Sequence, residues 1–282
     1  MDFGRTERLV RINPLDSGRA EEDLYAVLPG RPDAILIPKA DNPQIVKEVD
    51  SIITAVEKEH HWQINGIAIT LLIESAAAFI NLPDICQASP RVQALIFGAE
   101  DFCADAGVTR TVEAKELFFA RSSLVMHAAA FGMQAIDMVQ INYRDNDLLE
   151  RECLEAVQLG FSGKTVVHPG QIETVQRLFT PDESLVAYAL RVVEGAREAQ
   201  RSGSVEVVRI EIRQDLPARR VHQVLVWTVG GDDDADARLR LYGEHALVAE
   251  FRRWKFSALT GVNTLFNGLL NTPGFAELDF ST

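Results

Sequence analysis

Long apolar runs are missing from this sequence of 282 residues. No stretch reaches the roughly 18 consecutive apolar residues that a membrane-spanning helix needs, so no transmembrane helix is expected. The opening residues, MDFGRTERLVRINP, contain no apolar core followed by a small-residue cleavage site, so no signal peptide is predicted. We therefore expect a cytoplasmic protein, or a mitochondrial one if a targeting segment lies upstream.

Cysteine and positive charge are also scarce. Cys86, Cys103 and Cys153 are odd in number and lack metal-ligand spacing, so we expect reduced thiols rather than a disulfide framework or a metal site. The formal net charge of −13 argues against a nucleic-acid surface or an anionic membrane as partner. It does not exclude a small anionic substrate, because a local pocket with Arg, Lys and a metal can oppose the global charge.

The sequence does contain a regular train of apolar, β-branched runs with helix-like segments between them. The runs lie at 8–13, 34–39, 66–74, 94–101, 134–141 and 164–169. Near-continuous apolar strands that alternate with amphipathic helices indicate a parallel sheet covered by helices.

An ionisable residue stands near the C-terminal end of almost every predicted strand. These residues are Arg11, Lys39, Glu74, Asp101, Asp137 and His168. In a closed parallel barrel the C-terminal strand ends meet on one rim, where catalytic groups lie. An open doubly wound sheet would not bring all six ends together, so the pattern favours a (β/α) barrel.

The residue types at these ends leave several interpretations open. Glu74 and Asp101 on neighbouring strands could bind Mg²⁺, or could be helix-capping or salt-bridged acids. Arg11 could hold a carboxylate or an enolate oxygen with its forked donors, or could form a rim salt bridge. For His168, which precedes a proline, a structural hydrogen bond at the start of a loop is favoured over catalysis.

Six predicted strands are fewer than the eight of a complete barrel. We therefore divide the chain into a barrel domain, 1–200, incomplete at its N-terminus, and a lid segment with an unassigned tail, 201–282. A C-shaped partial barrel of low activity is expected, with exposed edges on the strands at 8–13 and 164–169. The alternative is that the tail run VHQVLVWTV fills the gap as a strand.

Several motifs together resemble one known family. The matching stretches are VRINPLDSGRAEEDL, LIPKADNP, LLIESAAAFINL, ALIFGAEDFCADAG, FARSSLVMHAAAFGMQAIDMVQINYRD and LGFSGKTVVHPGQIETVQRLFTP. In this order they resemble the citrate lyase beta-subunit-like branch of the HpcH/HpaI aldolase family, with the citramalyl-CoA and malyl-CoA lyase group as the nearest. The resemblance implies a (β/α)8 TIM barrel of the phosphoenolpyruvate/pyruvate type that lacks its first two strands here.

The resemblance also implies roles for individual residues. Glu74 and Asp101 take the positions of the carboxylates that bind Mg²⁺, and Glu74 also contacts substrate. Arg11 takes the place of the arginine that holds the substrate's carbonyl or enolate oxygen, and Lys39 is assigned to substrate binding. Asp215, in an Asp-x-Pro sequence, is assigned as the acid/base group of a lid that serves a neighbouring subunit, although the preceding EIRQ departs from the family pattern.

The function that the resemblance implies is Mg²⁺-dependent cleavage of a 3-hydroxyacyl-CoA of the citramalyl-, malyl- or citryl-CoA type to acetyl-CoA and a 2-oxo acid. The expected assembly is a homo-oligomer, either a trimer or a hexamer. Two alternatives stay open. One is a CoA-independent aldolase acting on a 2-oxo acid, and the other is an inactive truncated barrel kept as a binding or assembly subunit.

Overall fold

The computed structural model describes residues 6–181, Val186 and the strand backbones near positions 225 and 260. All six strands expected from the sequence are present, and the tail contributes two more. The eight strands are β1 (Glu7–Arg11), β2 (Ala34–Ile37), β3 (Ala68–Ile73), β4 (Val92–Phe97), β5 (Gln134–Asp137), β6 (Gly163–Lys164), β7 (Leu225–Val226) and β8 (Ala258–Val262).

The strands form one sheet in the order β6-β5-β4-β3-β2-β1-β8-β7, and every neighbouring pair is parallel. The fold is therefore a curled parallel sheet of the (β/α) barrel type, as expected. The prediction of a gap beside β1 is wrong, because β8 pairs with the whole of β1, from Glu7 opposite Ala258 to Arg11 opposite Val262. The run VHQVLVWTV contributes β7, which lies outside β8. Pairing satisfies the main-chain groups that an exposed β1 edge would have left to solvent.

Seven α-helices connect the strands in the described part of the chain. They are α1 (Ala20–Val27), α2 (Pro43–Glu59), α3 (Ala76–Cys86), α4 (Ala99–Ala106), α5 (Phe118–Phe131), α6 (Asn146–Leu159) and α7 (Ile172–Phe179). Local sequence explains several boundaries: Asn42 and Ser75 cap the starts of α2 and α3 through their side-chain oxygens. Gly132 and Gly160 end α5 and α6 with positive φ angles. None of the described helices is long and apolar enough to cross a membrane.

Apolar side chains of the strands alternate between two buried layers. One large cluster fills the space between sheet and helices and includes Ile35, Ile73 and Leu95. A smaller cluster lies on the other face of the same strands and includes Leu9, Leu36 and Leu72. This alternation decides which side chains near the strand ends face the inside of the curled sheet and which face the helices.

The three cysteines are free thiols and all are buried, which confirms the prediction of unpaired cysteines. Burial also raises the pKa of the Cys86 thiol to about 11 and that of the Cys153 thiol to about 12. Both groups are therefore held in the protonated, weakly nucleophilic form at neutral pH.

Candidate metal and substrate site

Glu74 directly follows β3 and lies on the inner face of the sheet. Side chains two residues apart in an extended strand point to the same face, so Glu74 faces the same side as Leu72, a member of the smaller buried cluster inside the curled sheet. Glu74 is only 5% exposed. Its Oε1 accepts a hydrogen bond from the main-chain N–H of Lys39 at 2.8 Å. The backbone thus fixes one oxygen of a buried carboxylate and leaves the other for a partner.

Gly98 packs directly against Glu74. A Cβ built on this glycine would lie 2.5 Å from Cβ of Glu74 and 2.8 Å from its Oε2. The φ angle of Gly98 is −92°, so the requirement for glycine comes from this close approach and not from backbone conformation. A role for Gly98 was not predicted from the sequence, although its position between an apolar strand and two acidic residues in FGAED was the available signal.

Asp101 was expected at the end of a strand, and this detail is wrong. The strand β4 ends at Phe97, and Asp101 lies in the first turn of α4, which begins at Ala99. The error arose because the strand runs almost directly into a short helix. A carboxylate in the first turn interacts favourably with the helix dipole, so this position also suits an ionised acid.

The two carboxyl groups lie close enough to influence each other. Burial is the largest cause that raises the pKa of Glu74, followed by the charge of Asp101, which also reaches it by a side-chain hydrogen bond. The N–H of Lys39 and the charge of Arg11 act in the opposite direction, and the resulting pKa is about 7. Without a cation the buried Glu74 carboxyl is therefore harder to ionise than an exposed one, and a nearby positive charge would favour its ionised form.

Arg11 is the last residue of β1. It lies two residues after Leu9 and therefore points to the same, inner face of the sheet. Burial lowers its pKa, while the charges of Glu74 and Asp101 raise it. Its Nε is buried and has no hydrogen-bond partner within the part of the chain that the structure describes. A buried donor without a partner is costly, so this N–H is suited to an oxygen that a ligand brings.

Lys39 lies two residues beyond β2, and its side chain is exposed. Its φ angle of +49° is in the left-handed region, which is unfavourable for a residue with a Cβ. The strained conformation directs its N–H to Glu74. The predicted contact between the Lys39 side chain and substrate stays a prediction.

Two other residues of the predicted rim have structural roles. Asp137 follows Ile136 of the inner cluster directly in β5, so its side chain points to the opposite face, toward the helices. It is fully buried and forms ion pairs there with Arg121 at 3.0 Å and Lys164 at 3.2 Å. His168 accepts the N–H of Gly170 through Nδ1 at 3.0 Å, which confirms the predicted structural hydrogen bond. Asp215 lies outside the described residues.

The donor set fits Mg²⁺. Within the described ranges no group of three or more His, Cys, Asp or Glu side chains that could hold a metal occurs, and the candidate donors there are the two carboxylates of Glu74 and Asp101. Mg²⁺ is commonly bound by one or two carboxylates, with waters and substrate oxygens completing its octahedral shell. A cation between Glu74 and Asp101 would also offset the repulsion that raises the Glu74 pKa.

Comparison with known proteins gives one consistent result. The profile of the family described as HpcH/HpaI aldolase/citrate lyase matches residues 1–169. The chain is 34% identical to mitochondrial citramalyl-CoA lyase of Rattus norvegicus over 212 residues, which is 72% of this chain and 62% of the relative. It is 36% identical to citrate lyase subunit beta of Haemophilus influenzae over 202 residues, covering 72% and 69% of the two chains. The match thus spans less than two thirds of the length of the citramalyl-CoA lyase.

Solved structures agree with these sequence matches. RipC from Yersinia pestis has a TM-score of 0.57 and 32% identity, covering 64% of this chain and 80% of that chain. The protein CitE from Mycobacterium tuberculosis, solved in complex with magnesium, acetoacetate and coenzyme A, has a TM-score of 0.55 and 26% identity. The match covers 67% of each chain.

Proposed function

Because the chain belongs to the HpcH/HpaI aldolase/citrate lyase family, we propose that it is a Mg²⁺-dependent carbon–carbon lyase. Its substrate is a 3-hydroxyacyl-CoA of the citramalyl-, malyl- or citryl-CoA type, and its products are acetyl-CoA and a 2-oxo acid. The names of the relatives and the coenzyme A complex of one structural neighbour support this substrate class. The relatives named as mitochondrial also leave both the cytoplasm and the mitochondrion as predicted locations.

One observation carries the proposal: the buried Nε of Arg11, which has no hydrogen-bond partner among the described residues, belongs to a guanidinium that interacts electrostatically with the paired carboxyl groups of Glu74 and Asp101. A cationic donor next to two metal-binding carboxylates is the arrangement that a reaction through an enolate requires. Glu74 and Asp101 would hold Mg²⁺. When bound, the ion supplies a Lewis acid that binds and orients the carboxylate and neighbouring oxygen of the 2-oxo or 2-hydroxy acid part.

The chemistry then assigns a task to Arg11. In the cleavage direction a general base takes the proton of the 3-hydroxyl group, and the oxygen forms the new carbonyl group of the 2-oxo acid. The bond between C2 and C3 breaks at the same time, and the electron pair of that bond moves into the thioester as an enolate. The guanidinium of Arg11 donates to the enolate oxygen, where the negative charge develops. A proton added at C2 completes acetyl-CoA, and Asp215 stays the predicted acid for this step.

Lys39 is proposed to assist at the mouth of the site. Its exposed ammonium can attract an anionic substrate toward a protein whose net charge is −13, while its main chain holds Glu74. The two functions belong to different parts of the residue. Replacement of the side chain should therefore affect substrate affinity more than metal affinity.

The experiment is an assay of the purified full chain with malyl-, citramalyl- and citryl-CoA, with and without Mg²⁺. D101N removes one proposed ligand, and E100Q, at the neighbouring position of the same helical turn, is the matched control. We expect Mg²⁺-dependent release of acetyl-CoA that D101N abolishes and E100Q preserves. Cleavage of the free acids without coenzyme A would instead identify a CoA-independent aldolase. Mg²⁺ binding without turnover on any substrate would identify an inactive barrel.

A further inference from the structure

Helix α4 carries the proposed metal ligand Asp101 and buries little of its own surface. Of its eight residues, Ala99 and Cys103 are buried. Phe102, beside Asp101, packs edge-on against Phe79 of α3, with ring centroids 5.2 Å apart. Helices shorter than about 12 residues are marginal in isolation, so tertiary contacts hold them in place. The direction of the Asp101 carboxylate therefore depends on what ties α4 to its neighbours.

A polar contact joins the end of α4 to the start of α3. Oδ2 of Asp105, one helical turn after Asp101, accepts the main-chain N–H of Ala76 at 2.7 Å. Ala76 is the first residue of α3 and stands two residues after Glu74. Residues four apart lie on the same side of a helix. The bond therefore connects the side of α4 that bears Asp101 to the chain immediately after the other carboxylate, Glu74.

The position of Asp105 is unfavourable for α4 itself. A carboxylate in the last turn of a helix is repelled by the partial negative charge of the helix C-terminus. The last turn of α4 contains no basic side chain that would compensate. The N-terminus of α3 does compensate, because its free N–H groups and its partial positive charge favour a carboxylate. Asp105 is therefore stabilised by the neighbouring helix and not by its own.

Helix α3 does not need Asp105 in order to begin. Ser75 already caps it, because its Oγ accepts the N–H of Ala78 at 3.0 Å. The same Oγ donates to Oδ1 of Asp41 at 2.5 Å, which holds the hydroxyl group in place. Ala76 is exposed, so water can replace the carboxylate at its N–H. Loss of the Asp105 bond should thus leave α3 formed and release α4.

We propose that Asp105 is a positioning residue, which sets the distance between the carboxylates of Asp101 and Glu74 by tying α4 to the start of α3. Mg²⁺ demands near-ideal octahedral geometry with ligand oxygens at about 2.0–2.1 Å, so a small rotation of α4 would remove one ligand. Asp105 acts through α4 and not on the ion. The inference rests on the proposed Mg²⁺ site and adds to it a residue that orients a ligand.

Titration calorimetry of the full chain with Mg²⁺ tests the hydrogen bond. D105A removes it, and we expect the Kd for Mg²⁺ to rise about tenfold or more, as is typical when a residue that orients a metal ligand is lost. D105N removes the same charge but keeps a side-chain oxygen that can accept the Ala76 N–H, so it should bind Mg²⁺ several-fold more tightly than D105A. Equal affinities of D105N and D105A would show that the charge of Asp105 acts and not its hydrogen bond, and would overturn the proposal.

D145A is the matched control for a lost bond at a helix N-terminus. Asp145 caps α6 by accepting the N–H of Leu148 at 2.9 Å. We expect D145A to lower the Tm at least as much as D105A does, because α3 keeps its Ser75 cap, and to bind Mg²⁺ like the wild type. If D145A loses as much Mg²⁺ affinity as D105A, destabilisation alone weakens the site and the proposal is wrong.

Amide exchange gives a readout that does not depend on the metal. In the metal-free chain the Ala76 amide should exchange faster in D105A than in the wild type, while the Ala78 amide, which Ser75 caps, should not change. Equal exchange of Ala76 in both proteins would count against the bond. A wild type that does not bind Mg²⁺ would refute the metal site and the inference with it, whereas equal Mg²⁺ binding by D105A and wild type would overturn the inference alone.

Discussion

The main-chain N–H of Lys39 and the bare Cα of Gly98 both determine where the Glu74 carboxylate lies. Lys39 N donates to Oε1 at 2.8 Å, and the absence of a side chain at Gly98 leaves room for Oε2, which would otherwise lie 2.8 Å from a Cβ. The carboxylate is therefore positioned by two backbone features from neighbouring strands. Such features do not vary with side-chain rotamers, which favours a preorganised ligand.

A methyl group at Gly98 should weaken the metal site. In G98A the new Cβ must push Glu74 aside, and we expect Mg²⁺ affinity to fall at least about tenfold, with a stability loss of about 1–3 kcal/mol from overpacking. Titration calorimetry with Mg²⁺ and thermal unfolding measure the two effects. G30A is the matched control, because a Cβ at Gly30 meets nothing within 4 Å. Unchanged Mg²⁺ affinity in G98A would show that Glu74 does not bind the ion in this position.

Replacement of Arg11 by lysine should separate catalysis from metal binding. R11K keeps the positive charge near Glu74 and Asp101 but removes the Nε–H, which has no hydrogen-bond partner in the part of the chain that the structure describes. We expect kcat to fall by about 10²–10³, the usual effect of losing one oxyanion donor, while Mg²⁺ affinity stays similar. A kcat of R11K equal to that of the wild type would contradict the proposal that Arg11 holds the enolate oxygen.

The ion pair between Arg91 and Glu57 should make the free energy of unfolding decrease at acidic pH. Arg91 is fully buried and binds Glu57 at 2.6 Å and Asp50 at 2.6 Å. Burial raises the pKa of Glu57, but the hydrogen bonds and charge of Arg91 and the N–H groups of Ile67 and Asn65 outweigh it, and the pKa lies below its usual 4.5. The stabilising contribution is therefore complete above pH 4.5 and is lost as the pH falls through the lowered pKa.

Urea unfolding across this pH range tests the prediction. E57Q should be less stable than the wild type at neutral pH and should lose less stability on acidification, because its side chain does not titrate. E59Q, at an exposed position of the same helix, should follow the wild type. Removal of the arginine in R91M should cost about 3–5 kcal/mol at neutral pH, since it leaves a buried carboxylate without its partner. Parallel pH curves for wild type and E57Q would contradict the prediction.

The pairing of β1 with β8 predicts the effect of removing the tail. A variant that ends at residue 200 lacks Ala258–Val262, so one side of β1 loses its ladder. We expect faster hydrogen exchange at the β1 amides and a tendency to aggregate through the free edge. The amides of β3, which keeps β2 and β4 as neighbours, serve as the internal control. Unchanged protection of β1 in the truncated chain would show that β8 does not stabilise it.

Much of the fold could be predicted because it depends on local patterns. The six strands and most of the helices follow from apolar runs and turn residues that are adjacent in sequence. The helix α4 was missed because it has only eight residues and follows β4 after Gly98, so the run ALIFGAED resembled one long strand. As a result Asp101 was placed on a strand rather than in the first turn of a helix.

By itself the sequence determined the alternation of strands and helices and the three free thiols, because each rests on residue type and local spacing. The set Arg11, Glu74 and Asp101 was singled out from the six strand-end candidates by the resemblance to a known family. The tertiary structure decided that Asp137 faces the helices, where Arg121 and Lys164 neutralise it. It also decided that β8 lies beside β1 and that Gly98 lies against Glu74. These relationships join residues far apart in the chain. They depend on the register between strands and on the face of the sheet to which each side chain points, and local sequence patterns do not determine either.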